Sequence, residues 1–203
     1  MKPTSFVSTV GEISAEEAVE VPDLDAVISH WTEDGYTAEE WFQELNDRWG
    51  TAGFVLRRGG EVQGFVVYAL PEHLQGVVRY PLALDDEAVV LAYAGGDTRT
   101  RRRLLVRMLR DLRHRGFGKV QAIASDRGLS NHVPTSFLLE SGWQPLHRAP
   151  YRMSYYTLVN IDLKSAVEVG ELARTLVGRV KLPGIQSPVP GTFARTTGEQ
   201  RGR

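Results

Sequence analysis

Hydrophobic and polar positions in the second half of the chain change period twice, and each change marks an element. Residues 88–94 (AVVLAYA) form an unbroken apolar run, the pattern of a strand covered on both faces. Gly95-Gly96-Asp97 interrupts it. From about 98 to 115 the period becomes helical, with Leu104, Leu105, Met108, Leu109 and Leu112 on one face. Gly116 follows as a helix stop, and Arg113, His114 and Arg115 suit the negative helix end. Residues 119–124 (KVQAIA) read as the next strand. A strand–helix–strand unit of this length predicts a right-handed crossover between parallel strands. A short helix at 134–141 stops at Gly142, and strands follow at 144–146 and 151–162.

The first half is more broken. Residues 25–31 (DAVISHW) read as a short strand. Thr37 followed by Glu40 is a capping-box signature, so a helix runs from there to about Trp49, where Gly50 ends it. Apolar runs at 53–56 and 62–69 are joined by Arg57-Arg58-Gly59-Gly60, a hairpin signal, and Pro71 closes the second. These patterns divide the chain into an acidic extension (1–24), an α/β domain (25–164), and a C-terminal helix with a Pro-containing tail (165–203). The tail helix spans 165–177, and three prolines in 181–193 favour an extended segment. Its apolar residues, Leu172, Leu176, Leu182, Ile185, Val189 and Phe193, favour docking on the same domain or on a second subunit. The latter would give a homodimer. No internal repeat is present.

Composition narrows the function classes. The chain of 203 residues is 42% hydrophobic, enough for one packed domain, and it has no cysteine. That excludes disulfides, thiolate nucleophiles and zinc ribbons, and suits a reducing compartment. No apolar stretch near residue 1 has the form of a signal peptide, and no run reaches membrane-span length. The expectation is a soluble, cytoplasmic protein with no membrane partner. Net charge is only −1, yet residues 1–50 carry twelve acidic and two basic groups while 97–119 carry nine basic and two acidic. Such segregation implies two patches that attract each other, or a basic segment that faces an anionic ligand.

The element order, with the segment Asn131-His-Val-Pro-Thr-Ser-Phe-Leu-Leu-Glu-Ser-Gly-Trp143, resembles the GNAT family of acyl-CoA-dependent acyltransferases across 25–164. The resemblance implies an α+β fold: a mixed six- or seven-stranded sheet flanked by helices. It also implies that Val89, Leu91 and Ala92 sit on a splayed strand along the pantetheine arm of acetyl-CoA or another acyl-CoA. The pyrophosphate would lie on amides at the next helix start, near Gly96 and Thr98, with Arg99, Arg101 and Arg102 in reach and Asn131 nearby. The family's three alternating glycines, however, fall on Asp97, Arg99 and Arg101. Four arginines (Arg99, Arg101, Arg102 and Arg103) in the first turns oppose the helix dipole, which a bound anion would reverse.

For catalysis the resemblance points to Glu87 as the base that strips the amine, with Asp85 and Asp86 as neighbours. All three also fit solvated loop carboxylates. The family's acid, a tyrosine, falls on Leu138, which transfers no proton. Tyr93, Tyr151, Tyr155 and Tyr156 are candidate substitutes, though a tyrosine on a strand is more often a packing residue. His30, His73, His114, His132 and His147 lack metal-ligand spacing, so no metal is expected. Trp41 and Trp49, two helical turns apart, read as core or as one wall of a groove. The leading reading is therefore an N-acyltransferase acting on a small-molecule or peptide amine. The alternative is an inactive domain of this type that binds an anionic ligand or a protein partner. The overall charge, and the lack of aromatic residues among the arginines, argue against a nucleic-acid partner.

Overall fold

The computed structural model describes residues 7–32 and 35–164. The expected helix at 165–177 and the docking of the tail lie outside the described residues. Seven strands form one sheet: β1 (Ser8–Glu12), β2 (Gly53–Arg58), β3 (Glu61–Ala69), β4 (Val89–Ala94), β5 (Lys119–Ser125), β6 (Gln144–Tyr151) and β7 (Ser154–Asp162). Their spatial order is β1-β2-β3-β4-β5-β7-β6. Among the named strands of the described residues, only β4 and β5 pair in parallel, joined by the crossover helix that the periodicity predicts. The helices are α1 (Ala15–Ala18), α2 (Leu24–Trp31), α3 (Ala38–Arg48), α4 (Thr98–His114) and α5 (Thr135–Glu140), with two 3-10 turns at Pro71–His73 and Gln75–Arg79.

Two expectations for the first half need correction. Residues 25–31 are helical, because Leu24, Val27, Ile28 and Trp31 repeat at helical spacing and all four are buried. The run looked strand-like only because the buried and exposed positions were read together. Within the expected N-terminal extension, residues 7–24 join the domain. β1 pairs antiparallel with β2 from Ser8↔Arg58 to Glu12↔Phe54, and Ile13, Ala18 and Val21 enter the core. The capping box on α3 is present, with Thr37 Oγ1 accepting from Glu40 N at 3.2 Å and Thr37 N donating back to Glu40 at 3.1 Å.

The sheet separates two apolar clusters. One holds α1, α2, α3 and the 3-10 turns against Val90, Ala92, Ile123 and Leu158. The other holds α4 and α5 against Val89, Leu91, Val120 and Ala122. The acidic N-terminal helices and the basic α4 therefore lie on opposite faces. Among the described residues, the ion pair between these charge patches lies at the edge, where Arg107 meets Glu12 at 3.6 Å. In 98–115, among the described residues, only Arg107 and Arg115 are paired with a carboxylate. The other arginines have no counter-charge that would explain them.

Candidate active site

The sheet opens at one place. β4 pairs with β5 only at Val89↔Val120 and Val90↔Gln121, while β5 stays paired with β7 along its whole length. Beyond Val90 the backbone edge of β4 facing β5 has no strand partner. β4 also carries a bulge: Tyr68 pairs with Leu91 and Val67 with Tyr93, leaving Ala92 as the extra residue. As a result Ala92 and Tyr93 both face the α2 side, instead of alternating. The opening thus begins where parallel strands part, the place where α/β sheets commonly take ligands.

At the α4 end, Gly96 has φ +98°, and a Cβ there would meet Gln63 O at 2.6 Å. Glycine is needed to fold the loop onto β3. Asp97 is the N-cap of α4, its carboxylate accepting from Thr100 N at 2.7 Å. Hydrogen bonds from the Thr100 backbone and side chain hold the Asp97 carboxyl below the usual range, so it is ionised. A carboxylate therefore occupies part of the helix terminus that the resemblance gives to pyrophosphate. α4 is already helical from Thr98, so Arg99 and Arg101 stand on a helix and not in a phosphate-wrapping loop.

The arginines do not act as one group. Arg101 stacks over Phe137 of α5 at 5.6 Å, bridging the two helices that flank the opening. Its Nε is buried with no hydrogen-bond partner among the described residues, as is that of Arg102. Arg99 and Arg102 instead line a groove of about 400 Å³ with Arg103, Arg107, Arg110 and Val10 of β1, on the other flank of α4. The three arginines expected at one phosphate are thus divided between two sites.

Glu87 stands before β4, at the closed end of the strand pair, and is exposed. Its neighbours Asp85 and Lys119 form an ion pair, and its own backbone N–H donates to Asp85. The strand direction puts it at the opposite end from the opening, which is the physical reason it does not reach the cleft. Leu138 is fully buried in the α4–α5 cluster. Tyr155 is exposed beneath Arg148, and Tyr93 packs on Phe65. Trp41 is buried and donates to His73 O at 3.0 Å, and Trp49 is half-buried under Arg115 at 4.0 Å.

Asn131 sits in the β5–α5 loop at φ +63°, its carbonyl accepting from Trp31 Nε1 at 2.9 Å. That contact ties the loop to α2 and brings together residues that sequence reasoning did not group. His30 Nε2 lies 3.0 Å from the Tyr80 hydroxyl, which lies 2.7 Å from His132 Nε2. Tyr156 packs on both Tyr80 and His132, and Tyr151 on Tyr80. The spacing of the histidines in the sequence speaks only to metal binding. The available signal was a histidine beside Asn131 in the very segment that carries the resemblance. No group of three His, Cys, Asp or Glu among the described residues is placed to hold a metal, and no helix there is long and apolar enough to cross a membrane.

This architecture is that of the GNAT acetyltransferases. The yncA protein of Salmonella typhimurium, solved with its cofactor acetyl-CoA, superposes with a TM-score of 0.57 at 13% identity, covering 78% of this chain and 95% of its own. An N-acetyltransferase from Staphylococcus aureus Mu50 gives 0.54 at 15% identity, over 77% of this chain and 99% of the other. A ribosomal-protein-alanine N-acetyltransferase from Brucella melitensis gives 0.54 at 13% identity, over 76% and 99%. No family model matches the sequence, and no curated relative matches it. At these identities the likeness establishes the fold: the chain has a GNAT fold.

Proposed function

We propose that the chain is an acyl-CoA-dependent N-acyltransferase that moves an acyl group from acetyl-CoA or another acyl-CoA to an amine of a small molecule or peptide. The observation that carries this reading is the parting of β4 from β5 after Val90, with the bulge at Ala92. It leaves the β5-facing amides and carbonyls within 91–94 free to pair with an extended, amide-containing arm such as pantetheine, while the other edge of β4 stays paired with β3. The chain's residues fit such a ligand unevenly. The strand edge and the orphaned Arg101 Nε favour it, while the Asp97 carboxylate opposes phosphate at the helix start. Val89, Leu91 and Ala92 would flank the arm, Gly96 and Thr98 would offer amides, and Arg101 would meet a phosphate. Positioning and hydrogen bonds from strand amides would supply most of the rate.

Asp97 and Leu138 together favour a second reading, a domain of this fold that binds an anionic ligand without transferring an acyl group. Calorimetry with acetyl-CoA and CoA, followed by thiol release over a panel of amines, separates the two. Binding with turnover supports acyl transfer, and binding without turnover on any amine supports the second reading. An unchanged thermal midpoint at millimolar acetyl-CoA, with no binding heat, would remove both as readings of the β4–β5 cleft.

A further inference from the structure

The chain His30–Tyr80–His132 has a direction, which follows from what each atom can do. Ser130 O lies 2.9 Å from His132 Nδ1. A carbonyl only accepts, so Nδ1 carries the proton, and the neutral ring offers a lone pair at Nε2. The Tyr80 hydroxyl must then donate to His132 Nε2, at 2.7 Å. The Tyr80 oxygen is left to accept from His30 Nε2–H, at 3.0 Å. His30 Nδ1 therefore ends the chain with a bare lone pair, and no described residue bonds to it.

The surroundings hold this arrangement in place. The β5–α5 loop is pinned by Leu129 N on Ser125 Oγ at 3.0 Å and by Asp126, which accepts from Thr135, Thr157 and Arg148. Arg79 clamps the end of α2 through the carbonyls of His30, at 2.9 Å, and Thr32, at 3.1 Å. His132 is only 5% exposed. The groups that face the pair are Tyr156 from β7, Tyr151 from β6, Arg152 from the β6–β7 turn, Arg79 and Trp31. The cluster also lies at the right end of the sheet. α2 packs against β4 on the face that carries Ala92 and Tyr93, and Tyr156 pairs in register with Ser125 at the end of β5. The family's two proton-transfer positions offer nothing here, since Leu138 is buried and apolar and Glu87 stands at the closed end.

We propose that His30 Nδ1 is the proton acceptor for the acyl-acceptor amine, and that Tyr80 and His132 are positioning residues that fix its tautomer and carry charge away. This rests on the acyl-transfer reading. As the amine nitrogen bonds to the acyl carbon and the carbon–sulfur bond breaks, His30 Nδ1 takes one N–H proton. His30 Nε2–H passes to the Tyr80 oxygen, and the Tyr80 proton to His132 Nε2. The reverse shift returns one proton to the leaving thiolate, so amine and acyl-CoA thioester give amide and thiol with no net proton. Charge then rests on His132, whose Nδ1–H already points at Ser130 O, and not on His30, which faces Arg79 and Arg152. Both rings are neutral near pH 7. Burial, then His132, Arg79 and Arg152, lower His30 to about 4, and burial lowers His132.

The test uses the full chain. Nitrogen NMR of histidine-labelled protein should show Nδ1 of His30 and Nε2 of His132 unprotonated at pH 7. A proton on His30 Nδ1 overturns the proposal, whether or not an acceptor amine is in hand. With an amine that accepts from acetyl-CoA, His30→Ala should lose about 100-fold or more in kcat/KM while its affinity for acetyl-CoA is kept. Added imidazole should restore part of the loss, and Tyr80→Phe should shift the acid limb of the pH profile. Both variants are checked by circular dichroism. If His30→Ala does not fold, Tyr80→Phe and the wild-type tautomers decide. A His30→Ala chain as active as wild type sinks the relay alone. A wild-type chain that does not bind acetyl-CoA sinks the acyl-transfer reading instead.

Discussion

The two sides of the β4–β5 opening are built on opposite terms. On the α2 side the polar groups of the His30–Tyr80–His132 chain are joined to one another: Tyr80 bridges two imidazoles, and Trp31 bonds Asn131 O. On the α4 side polar groups are left over. Two arginine Nε atoms are buried without partners, and four arginines crowd the positive end of a helix. Each such cation costs about 0.3–1 kcal/mol at an exposed site. A satisfied cluster is suited to holding geometry before a substrate arrives. An unsatisfied one gains most when an anion arrives, because the sign of the helix-terminus energy reverses. The contrast assigns positioning to one side and anion capture to the other.

The sharpest way to break that contrast is Gly64→Val on β3. A Cβ at Gly64 would sit 2.4 Å from Gly95 O and 2.9 Å from Thr100 Cγ2. Overpacking of this kind costs about 1–3 kcal/mol, and backbone contact places it near the top of that range. The thermal midpoint should fall, and acetyl-CoA binding should weaken as the start of α4 is pushed away. His30 and His132 resonances should stay in place, since they lie on the other face. Their displacement would show that the two sides are one cooperative unit.

The next effect in size divides the arginines. Arg101→Ala should weaken acetyl-CoA about tenfold, roughly 1.4 kcal/mol, because it removes the guanidinium that lies over Phe137 of α5 with an unpartnered Nε. Arg102→Ala should change it by less than about twofold, since Arg102 lines the groove toward β1. Equal losses measured by calorimetry would return both residues to one phosphate site. A smaller gain is expected from Asp97→Asn. Asparagine caps a helix about as well as aspartate, so stability should hold, while loss of the carboxylate should tighten acetyl-CoA several-fold. Unchanged affinity would mean that no phosphate approaches the α4 amides.

Much of this was legible because local signals agreed with the final packing. The β4 run, the α4 stripe ending at Gly116 and the Arg57–Gly60 hairpin each report one buried surface, and each became the expected element. α2 was misread because its polar positions, Asp25, Ser29 and His30, interrupt a pattern only seven residues long. β1 was not seen because a sheet edge needs few apolar residues: its strand is mostly exposed, and the sheet itself supplies the pairing. The bulge at Ala92 had no local signal, and the His30–Tyr80–His132 chain had only the histidine beside Asn131. Each joins elements distant in sequence, the hydrogen bonds linking His30 to Tyr80 and Tyr80 to His132 spanning 50 and 52 residues.

The smallest effect tests the satisfied side by pH. His30 has an ordinary value of 6.5 and falls to about 4 in the fold, and His132 moves in the same direction. Between those values the unfolded chain binds protons that the folded chain refuses, so stability rises with pH in this window. It is therefore fully present above about 6.5 and is lost as pH falls toward 4. Asp85 and Asp97 also have lowered values, but from an ordinary 3.8, so their share is lost only below the histidine window. The imidazoles of the α2 side and the Asp97 carboxyl at the start of α4 thus lose their contributions in separate pH ranges. Scanning calorimetry from pH 7 to 4.5 should show the midpoint falling by roughly a few degrees. His30→Gln should flatten that slope and leave the decline below pH 4 intact. A wild-type midpoint that is level from 6.5 to 4.5 would mean the imidazoles protonate as freely in the fold as outside it. The α2 side would then be as loosely satisfied as the α4 side, and the contrast between them would fall.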